Sequence, residues 1–157
     1  MQASGARVVA YAVETPFING SEPPRFARPD VLAQRPELRA VAAQFQPTHV
    51  DEQLEDGARL NLAGGVRVIA TPGHTPGHMC LYHERTRTLI AGDALTSNDG
   101  QLMGPNEGAT PDMPTASQSV RKLAELDVQT IICYHGGAVT VDANQQLQRV
   151  VHELGQQ

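Results

Sequence analysis

Short runs of apolar and β-branched residues, each closed by Gly, Pro or polar residues, constrain the fold more than any other feature of this sequence. Runs of about four to eight such residues between turn-forming residues are typical of strands. They occur at residues 6–13, 66–70, 79–83, 88–91 and 130–134. The polar stretch 84–87 lies between two of these runs and predicts a hairpin. The chain is therefore expected to build a sheet from short strands.

Three further segments have the spacing of an amphipathic helix. In residues 30–45 the apolar side chains recur at i, i+3, i+4 and i+7, at Leu38, Val41, Ala42 and Phe45. Residues 117–126 and 142–154 repeat this pattern, with Asp142 in the position of an N-cap. Residues 14–29 and 96–114 are rich in Pro or Gly and are expected to be loops. Hairpins that do not alternate regularly with helices predict an α/β fold with a mostly antiparallel or mixed sheet.

Composition excludes several classes of partner. The 157 residues carry a net charge of -5, and the basic residues are scattered, which argues against nucleic acid and against an anionic membrane surface. No apolar stretch approaches the ~20 residues that cross a bilayer, so a transmembrane helix is not expected. A single domain is the expectation for this length.

The two cysteines and the N-terminus bear on location. Cys80 and Cys133 lie in separate apolar runs and are interpreted as reduced, buried strand residues; a disulfide between them is the alternative. The N-terminal segment has no basic leader followed by a long apolar stretch, because Arg7 interrupts it. A cytoplasmic protein is expected.

Possible metal ligands follow three of the predicted strands. The segments TPGHTPGH, AGDAL and CYHGG place His74, Asp93 and His135 in the turns after these strands. Imidazole and carboxylate groups suit zinc, iron or manganese, and one carboxylate can bridge two ions ~3.5–4 Å apart. Each residue alone is also compatible with a structural role, as a hydrogen-bonded histidine or a turn-capping aspartate. Gly73, Gly92 and Gly136 stand beside them, where tight turns favour glycine.

The order of these motifs resembles the second half of the metallo-β-lactamase superfamily. The resemblance rests on TPGHTPGH, then AGDAL after a hairpin, then CYHGG before a final helix, and it extends over nearly the whole chain. It implies half of an αββα sandwich, a mixed sheet with helices on one face, and the hydrolysis of an ester, thioester, lactone or lactam. It also implies a small-molecule substrate and one or two zinc ions, with manganese or iron as alternatives.

The resemblance also implies a role for each site residue. His74 corresponds to a ligand of the first metal, Asp93 to the bridging aspartate with a catalytic role, and His135 to the last histidine, on the second metal. His78 corresponds to a residue that supports the loop and is not a ligand. A helical insert is expected over residues 22–46. Its helix over residues 30–45 and the loop 96–114 are expected to rim the substrate groove.

One family motif is missing. By the resemblance, the superfamily's H-x-H-x-D-H signature supplies the remaining metal ligands and the acid/base aspartate. That signature does not occur, and neither an H-x-H nor a D-H pair is present in the 157 residues. The other histidines, His49, His83 and His152, stand alone. Residues 1–157 are therefore expected to form one incomplete domain with weak metal occupancy, in which residues 1–4 are interpreted as a start partway through a longer family sequence.

Two expectations concern the chain as a whole. A non-catalytic interaction module or a transient metal-binding module is the alternative to a metal-dependent hydrolase. A sheet face that lacks its partner half predicts a homodimer. Among lesser candidates, Glu107, Asp99 and Asp112 are expected to be solvated loop acids, with a further metal ligand as the alternative. Tyr134 is expected to be a core residue.

Overall fold

The computed structural model describes residues 5–156, in two compact units divided between Leu54 and Glu55. The expectation about residues 1–4 lies outside the described residues. The prediction of a single domain over residues 1–157 stays a prediction. Each unit is described in turn.

The first unit combines one parallel strand pair with short helices. Strand β1 (Val9–Tyr11) pairs in parallel with β2 (Glu52–Leu54). Its helices are α1 (Thr15–Ile18), α2 (Pro29–Gln34) and α3 (Arg39–Gln44), with single 3-10 turns at Ala12–Glu14, Arg25–Ala27 and Pro36–Leu38. Two predictions are wrong here: the strand predicted over residues 6–13 is shorter, and the predicted loop 14–29 contains α1. Pro16 sits in the first turn of α1, where its missing N–H costs no helical hydrogen bond.

The single helix predicted over residues 30–45 is broken in two. Arg35 leaves the helical region, with φ −130° and ψ 71°, because a residue before proline is disfavoured there. Pro36 then begins a 3-10 turn and, as predicted, occupies a first helical position. Val41, from the predicted apolar stripe, is 56% exposed, so the stripe is not a buried face.

The second unit is built on a six-stranded mixed sheet. The strands in this unit are β3 (Arg59–Leu60), β4 (Val66–Ala70), β5 (Met79–His83), β6 (Thr88–Gly92), β7 (Thr96–Asn98), β8 (Gln101–Met103), β9 (Thr130–Cys133) and β10 (Gly137–Val139). The sheet order is β10-β9-β6-β5-β4-β3, and β7 and β8 form a separate two-stranded sheet. The hairpin predicted around residues 84–87 is confirmed by the antiparallel pairing of β5 with β6.

The pairing directions bring three strand ends together. Strand β5 is antiparallel to both β4 and β6, and β9 is parallel to β6. Strands β4, β6 and β9 therefore run the same way and end at one edge of the sheet. The turns after these strands carry the predicted metal ligands.

Two helices cover one face of this sheet. Helix α4 (Met113–Leu123) and helix α5 (Ala143–Leu154) are amphipathic, and their apolar sides share one hydrophobic core with the strands. The fully buried members of this core include Leu89 and Ile131 from the sheet and Leu123 and Leu147 from the helices. Burying each such side chain stabilises the fold by about 1.5–3 kcal/mol. The predicted α/β class, with a mixed sheet and helices on one face, is confirmed.

The loop predicted over residues 96–114 is largely structured. Strands β7 and β8 form a hairpin whose turn residues Asp99 and Gly100 both have positive φ angles, 47° and 76°. Such a turn suits the right-handed twist of the two strands, and Asp-Gly is one of its favoured sequences. Asp99 is therefore a turn residue, and only residues 104–112 remain irregular.

Helix α4 begins earlier than the predicted residue 117. The Asp112 carboxylate accepts hydrogen bonds from the backbone N–H of Thr115 at 3.1 Å and from its hydroxyl at 2.8 Å. These two bonds, the hydroxyl first, lower the pKa of Asp112. Asp112 thus caps a helix. At helix α5, Asp142 does occupy the N-cap, as predicted, but its side chain makes no capping hydrogen bond and its backbone is left-handed, with φ 49°.

Within residues 5–156, no helix is long and apolar enough to cross a membrane.

Candidate functional site

The three predicted ligands follow the three strands that end at one edge of the sheet. His74 lies in the turn after β4, Asp93 directly follows β6, and His135 comes two residues after β9. Because regular strands fix these turns, the side chains are held by backbone that is itself hydrogen-bonded in the sheet.

Asp93 faces both histidines. One carboxylate oxygen, Oδ2, is 3.7 Å from Nε2 of His74, and the other, Oδ1, is 3.3 Å from Nε2 of His135. The side chains of His74 and Asp93 are 25% and 23% exposed, whereas that of His135 is 77% exposed. All three line a cavity of about 140 Å³, together with Thr96, Asn106 and Ala109. The structure therefore brings the three residues together around Asp93.

The ring of His78 contacts the backbone next to this site. Its Nε2 accepts a hydrogen bond from the backbone N–H of Asp93 at 3.1 Å, and its Nδ1 is 2.8 Å from the hydroxyl oxygen of Thr71. The ring of His78 also lies edge-on to that of His74, with centroids 6.0 Å apart. His78 therefore contacts the backbone of Asp93.

Two of the predicted supporting glycines allow close backbone contacts. A Cβ atom on Gly73 would lie 2.6 Å from the backbone of Ala116, so the turn that carries His74 packs directly on helix α4. The hydroxyl of Ser119 on that helix donates to the carbonyl oxygen of Pro72 at 2.8 Å. A Cβ atom on Gly136, next to His135, would lie even closer to the backbone of Ser97 on β7. Gly92 packs against His78, where a Cβ would lie 2.8 Å from Nε2.

A larger cavity of about 510 Å³ adjoins His135. Its walls come from β7, the end of β8, the irregular segment after it, the first residue of α4 and the helix α5. They include Met103, Glu107, Met113 and Leu154. Sequence reasoning placed segment 96–114 beside the site, but it did not anticipate the contribution of α5.

The sequence matches the metallo-β-lactamase superfamily model over residues 1–135. The chain belongs to the metallo-β-lactamase superfamily. It is 33% identical over 148 residues to the probable metallo-hydrolase YflN of Bacillus subtilis (strain 168), covering 85% of this chain and 56% of YflN. It is also 26% identical over 115 residues to an atrochrysone carboxyl ACP thioesterase of Pseudocercospora fijiensis, covering 73% of this chain and 32% of that protein. The chain thus spans about half the length of YflN.

Solved structures show the same fold. A metallo-β-lactamase family protein of Thermus thermophilus, TTHA1429, superimposes with a TM-score of 0.68 at 27% identity, covering 97% of this chain and 54% of that one. TTHA1623, solved in a di-iron-bound form, gives a TM-score of 0.64 at 24% identity, covering 95% of this chain and 65% of that one. The metallo-β-lactamase fold predicted from the motifs is confirmed.

The three side chains have the donor chemistry of metal ligands. Imidazole nitrogens around a shared carboxylate are suitable ligands for a divalent ion. Within residues 5–156, however, no group of three or more His, Cys, Asp or Glu side chains is arranged to hold a metal ion. The buried Nδ1 atom of His74 also has no hydrogen-bond partner among those residues, whereas a ligating histidine normally donates its second ring N–H. The site is therefore incomplete in the described residues.

The remaining candidates have other positions. Glu107 is an exposed residue on the wall of the larger cavity. The expectation that Tyr134 is a core residue is wrong: it is 70% exposed, because it follows the end of β9. Cys80 and Cys133 are free and buried, and burial raises the pKa of Cys80 to about 12 and that of Cys133 to about 11. No disulfide joins them.

Proposed function

We propose that this chain carries part of the active site of a metal-dependent hydrolase, which cleaves an ester, thioester, lactone or lactam bond. In this proposal His74, Asp93 and His135 are metal ligands. One observation supports this most directly: the two oxygens of Asp93 face the Nε2 atoms of the two histidines, at 3.7 and 3.3 Å. The family relationship makes hydrolysis the natural class of reaction.

The chain's own residues have distinct tasks in this proposal. Asp93, at the end of β6, presents one carboxylate oxygen to each of the two histidines. His74 is held by a turn that packs on α4, and the more exposed His135 lies at the opening toward the larger cavity. A divalent ion bound by such ligands supplies Lewis acidity to a substrate carbonyl. Zinc is the proposed ion, with iron or manganese as alternatives.

The larger cavity beside His135 is the proposed place for the substrate. Its apolar walls at Met103, Met113 and Leu154 suit a carbon chain or ring next to the scissile bond. The names of the relatives, a probable metallo-hydrolase and an acyl carrier protein thioesterase, support a small acyl substrate.

A non-catalytic binding module is the second candidate. It is favoured by the lack of a three-ligand group within residues 5–156 and by the absence of an H-x-H pair from the sequence. The two candidates differ in metal content, since a module that uses only the groove needs no ion. A cytoplasmic location is also proposed, because Cys80 and Cys133 are free thiols.

Metal binding by the purified chain tests the assignment. After chelator treatment and incubation with Zn²⁺ or Mn²⁺, elemental analysis should find weak or substoichiometric uptake, which His74→Ala abolishes. His152→Ala is the matched control, because that histidine lines neither cavity beside His135 and its ring bonds to Gln156. Equal uptake by the triple variant His74→Ala, Asp93→Ala, His135→Ala would contradict the assignment, and no uptake by the unmodified chain would favour the binding module.

A further inference from the structure

We propose that His78 is a positioning residue, locked in one ring tautomer by Thr71 and Cys80, that holds the backbone of Asp93 so that its carboxylate faces His74 and His135. The functional consequence rests on the proposed function, in which Asp93 is a ligand. The hydrogen-bond network itself does not depend on any metal.

The backbone of Asp93 determines which nitrogen of His78 carries the proton. The N–H of Asp93 donates to Nε2 of His78 at 3.1 Å, so Nε2 must offer a lone pair. A neutral imidazole then carries its hydrogen on Nδ1. That atom lies 2.8 Å from Oγ1 of Thr71, which accepts it.

Thr71 and Cys80 continue the chain of hydrogen bonds that begins at Asp93, and each donates to the next group. Because Oγ1 of Thr71 accepts from His78, its own hydrogen points to Sγ of Cys80, 3.2 Å away. The thiol of Cys80 in turn donates to the carbonyl oxygen of Ala91 at 3.3 Å. Burial raises the pKa of Cys80 to about 12, so the thiol keeps the proton that it donates. The directions of donation are therefore consistent from Asp93 through His78, Thr71 and Cys80 to Ala91.

The network begins and ends on the two sides of one glycine. It starts at the N–H of Asp93 and finishes at the carbonyl of Ala91, with Gly92 between them. Gly92 has φ 57°, and a Cβ there would lie 2.8 Å from Nε2 of His78. The histidine ring therefore packs on the bend that turns the chain from β6 toward Asp93. Thr71 is 2% exposed and Cys80 is fully buried, so water does not compete for these bonds.

The opposite tautomer would break this arrangement at both ends. A hydrogen on Nε2 would face the N–H of Asp93, donor against donor, and Nδ1 would have to accept from Thr71. Thr71 could then no longer donate to Cys80. With both ring nitrogens engaged, His78 has none left for a metal ion, which separates its role from that of His74.

The tautomer can be measured directly on the metal-free chain. Long-range ¹H–¹⁵N correlation spectra should show the Nδ1–H form of His78 as the single species. Thr71→Val keeps the shape but removes the hydroxyl, so we expect a mixture of tautomers and a shifted amide resonance for Asp93. Thr71→Ser should restore both signals. Thr75→Val, in the same turn, is the control and should change neither.

The functional consequence has a separate readout. In a competition with a chromophoric chelator, Thr71→Val should weaken Zn²⁺ binding by about 10–100-fold, the usual effect of losing a residue that orients a ligand, and Thr71→Ser should restore it. A predominant Nε2–H form in the unmodified chain, or an unchanged Asp93 amide in Thr71→Val, would overturn the positioning role. If the spectra show the expected tautomer but the chain does not bind Zn²⁺, the hydrogen-bond network is supported and the proposed function is contradicted.

Discussion

A Cβ atom on Gly136 would overlap the carbonyl oxygen of Ser97, well inside any permitted contact. The same two segments are joined by hydrogen bonds from the Ser97 N–H to the His135 carbonyl at 3.0 Å and from the Ser97 hydroxyl to the Gly137 carbonyl at 3.2 Å. Strand β7 therefore holds the turn that carries His135. The position of this candidate ligand depends on the absence of a side chain at residue 136.

We expect Gly136→Ala to destabilise the protein severely, because the added methyl group meets backbone and not a movable side chain. Gly137→Ala is a matched control: its φ is 90°, but no atom lies within 4 Å of its Cβ position. In this control the free energy of unfolding should fall only by the cost of a side chain at a positive φ angle, about 1–2 kcal/mol. Urea unfolding of both variants measures the difference, and equal stabilities would contradict the contact.

The core of the second unit gives a second prediction. Leu89 on β6 is fully buried between the sheet and the helices, whereas Leu62 is 58% exposed. Leu89→Ala should lower the free energy of unfolding by about 2–5 kcal/mol, the usual range when a buried leucine leaves a cavity. Leu62→Ala should change it by less than about 0.5 kcal/mol. The midpoints of urea denaturation of the two variants provide the comparison, provided that the dependence of the unfolding free energy on urea concentration is unchanged.

The buried thiols predict a dependence on pH. Because burial raises the pKa of Cys80 from 9.0 to about 12, the native thiol stays protonated at pH 8 and should resist a thiol-labelling reagent until the chain unfolds. A raised folded-state pKa stabilises the fold fully below the unfolded value, and this contribution is lost as pH rises from about 9 to about 12. Fast labelling of the native chain at Cys80, located by mass spectrometry, would contradict the assignment.

The sequence predicts elements whose signals are local. The runs at β4, β5, β6 and β9 are short and apolar, and their bounds are nearly those expected. The turns that follow three of them contain the site residues, so the place of the candidate site was also predictable. Two elements that differ from the prediction also have local signals. Asp99-Gly100 predicts a hairpin turn, and Asp112 followed by Met113 and Pro114 predicts a helix start.

Other features depend on contacts between distant residues. The bond from Asp93 to His78 joins positions 15 residues apart, and that between Ser97 and Gly137 joins positions 40 apart. The exposure of Tyr134 follows from the end of β9, which the apolar run alone does not mark. No periodicity in the sequence contains this information, because it arises only when the strands take their places in the sheet.

We expect a homodimer through the sheet face opposite α4 and α5. Ile132 on β9 is 37% exposed although its neighbours Ile131 and Cys133 are buried, as alternation along a strand requires, and Tyr134 just beyond the strand is 70% exposed. A second copy related by a two-fold axis is the simplest cover for apolar residues on such a face. Light scattering at micromolar concentration should give the mass of two chains, and Ile132→Asp should reduce it to one. A stable monomer would contradict the prediction.

Catalysis by the 157-residue chain is expected to be negligible. The sequence holds no H-x-H or D-H pair, so the ligands and the acid/base carboxylate that the superfamily's signature supplies are absent from it. Loss of one transition-state contact alone costs about 10²–10³-fold in rate, and several are missing here. Chelator-treated chain reloaded with Zn²⁺ or Mn²⁺ should therefore hydrolyse thioester, lactone and β-lactam substrates no faster than the His74→Ala variant. Robust hydrolysis that this variant abolishes would show instead that the donors around Asp93 are sufficient for turnover.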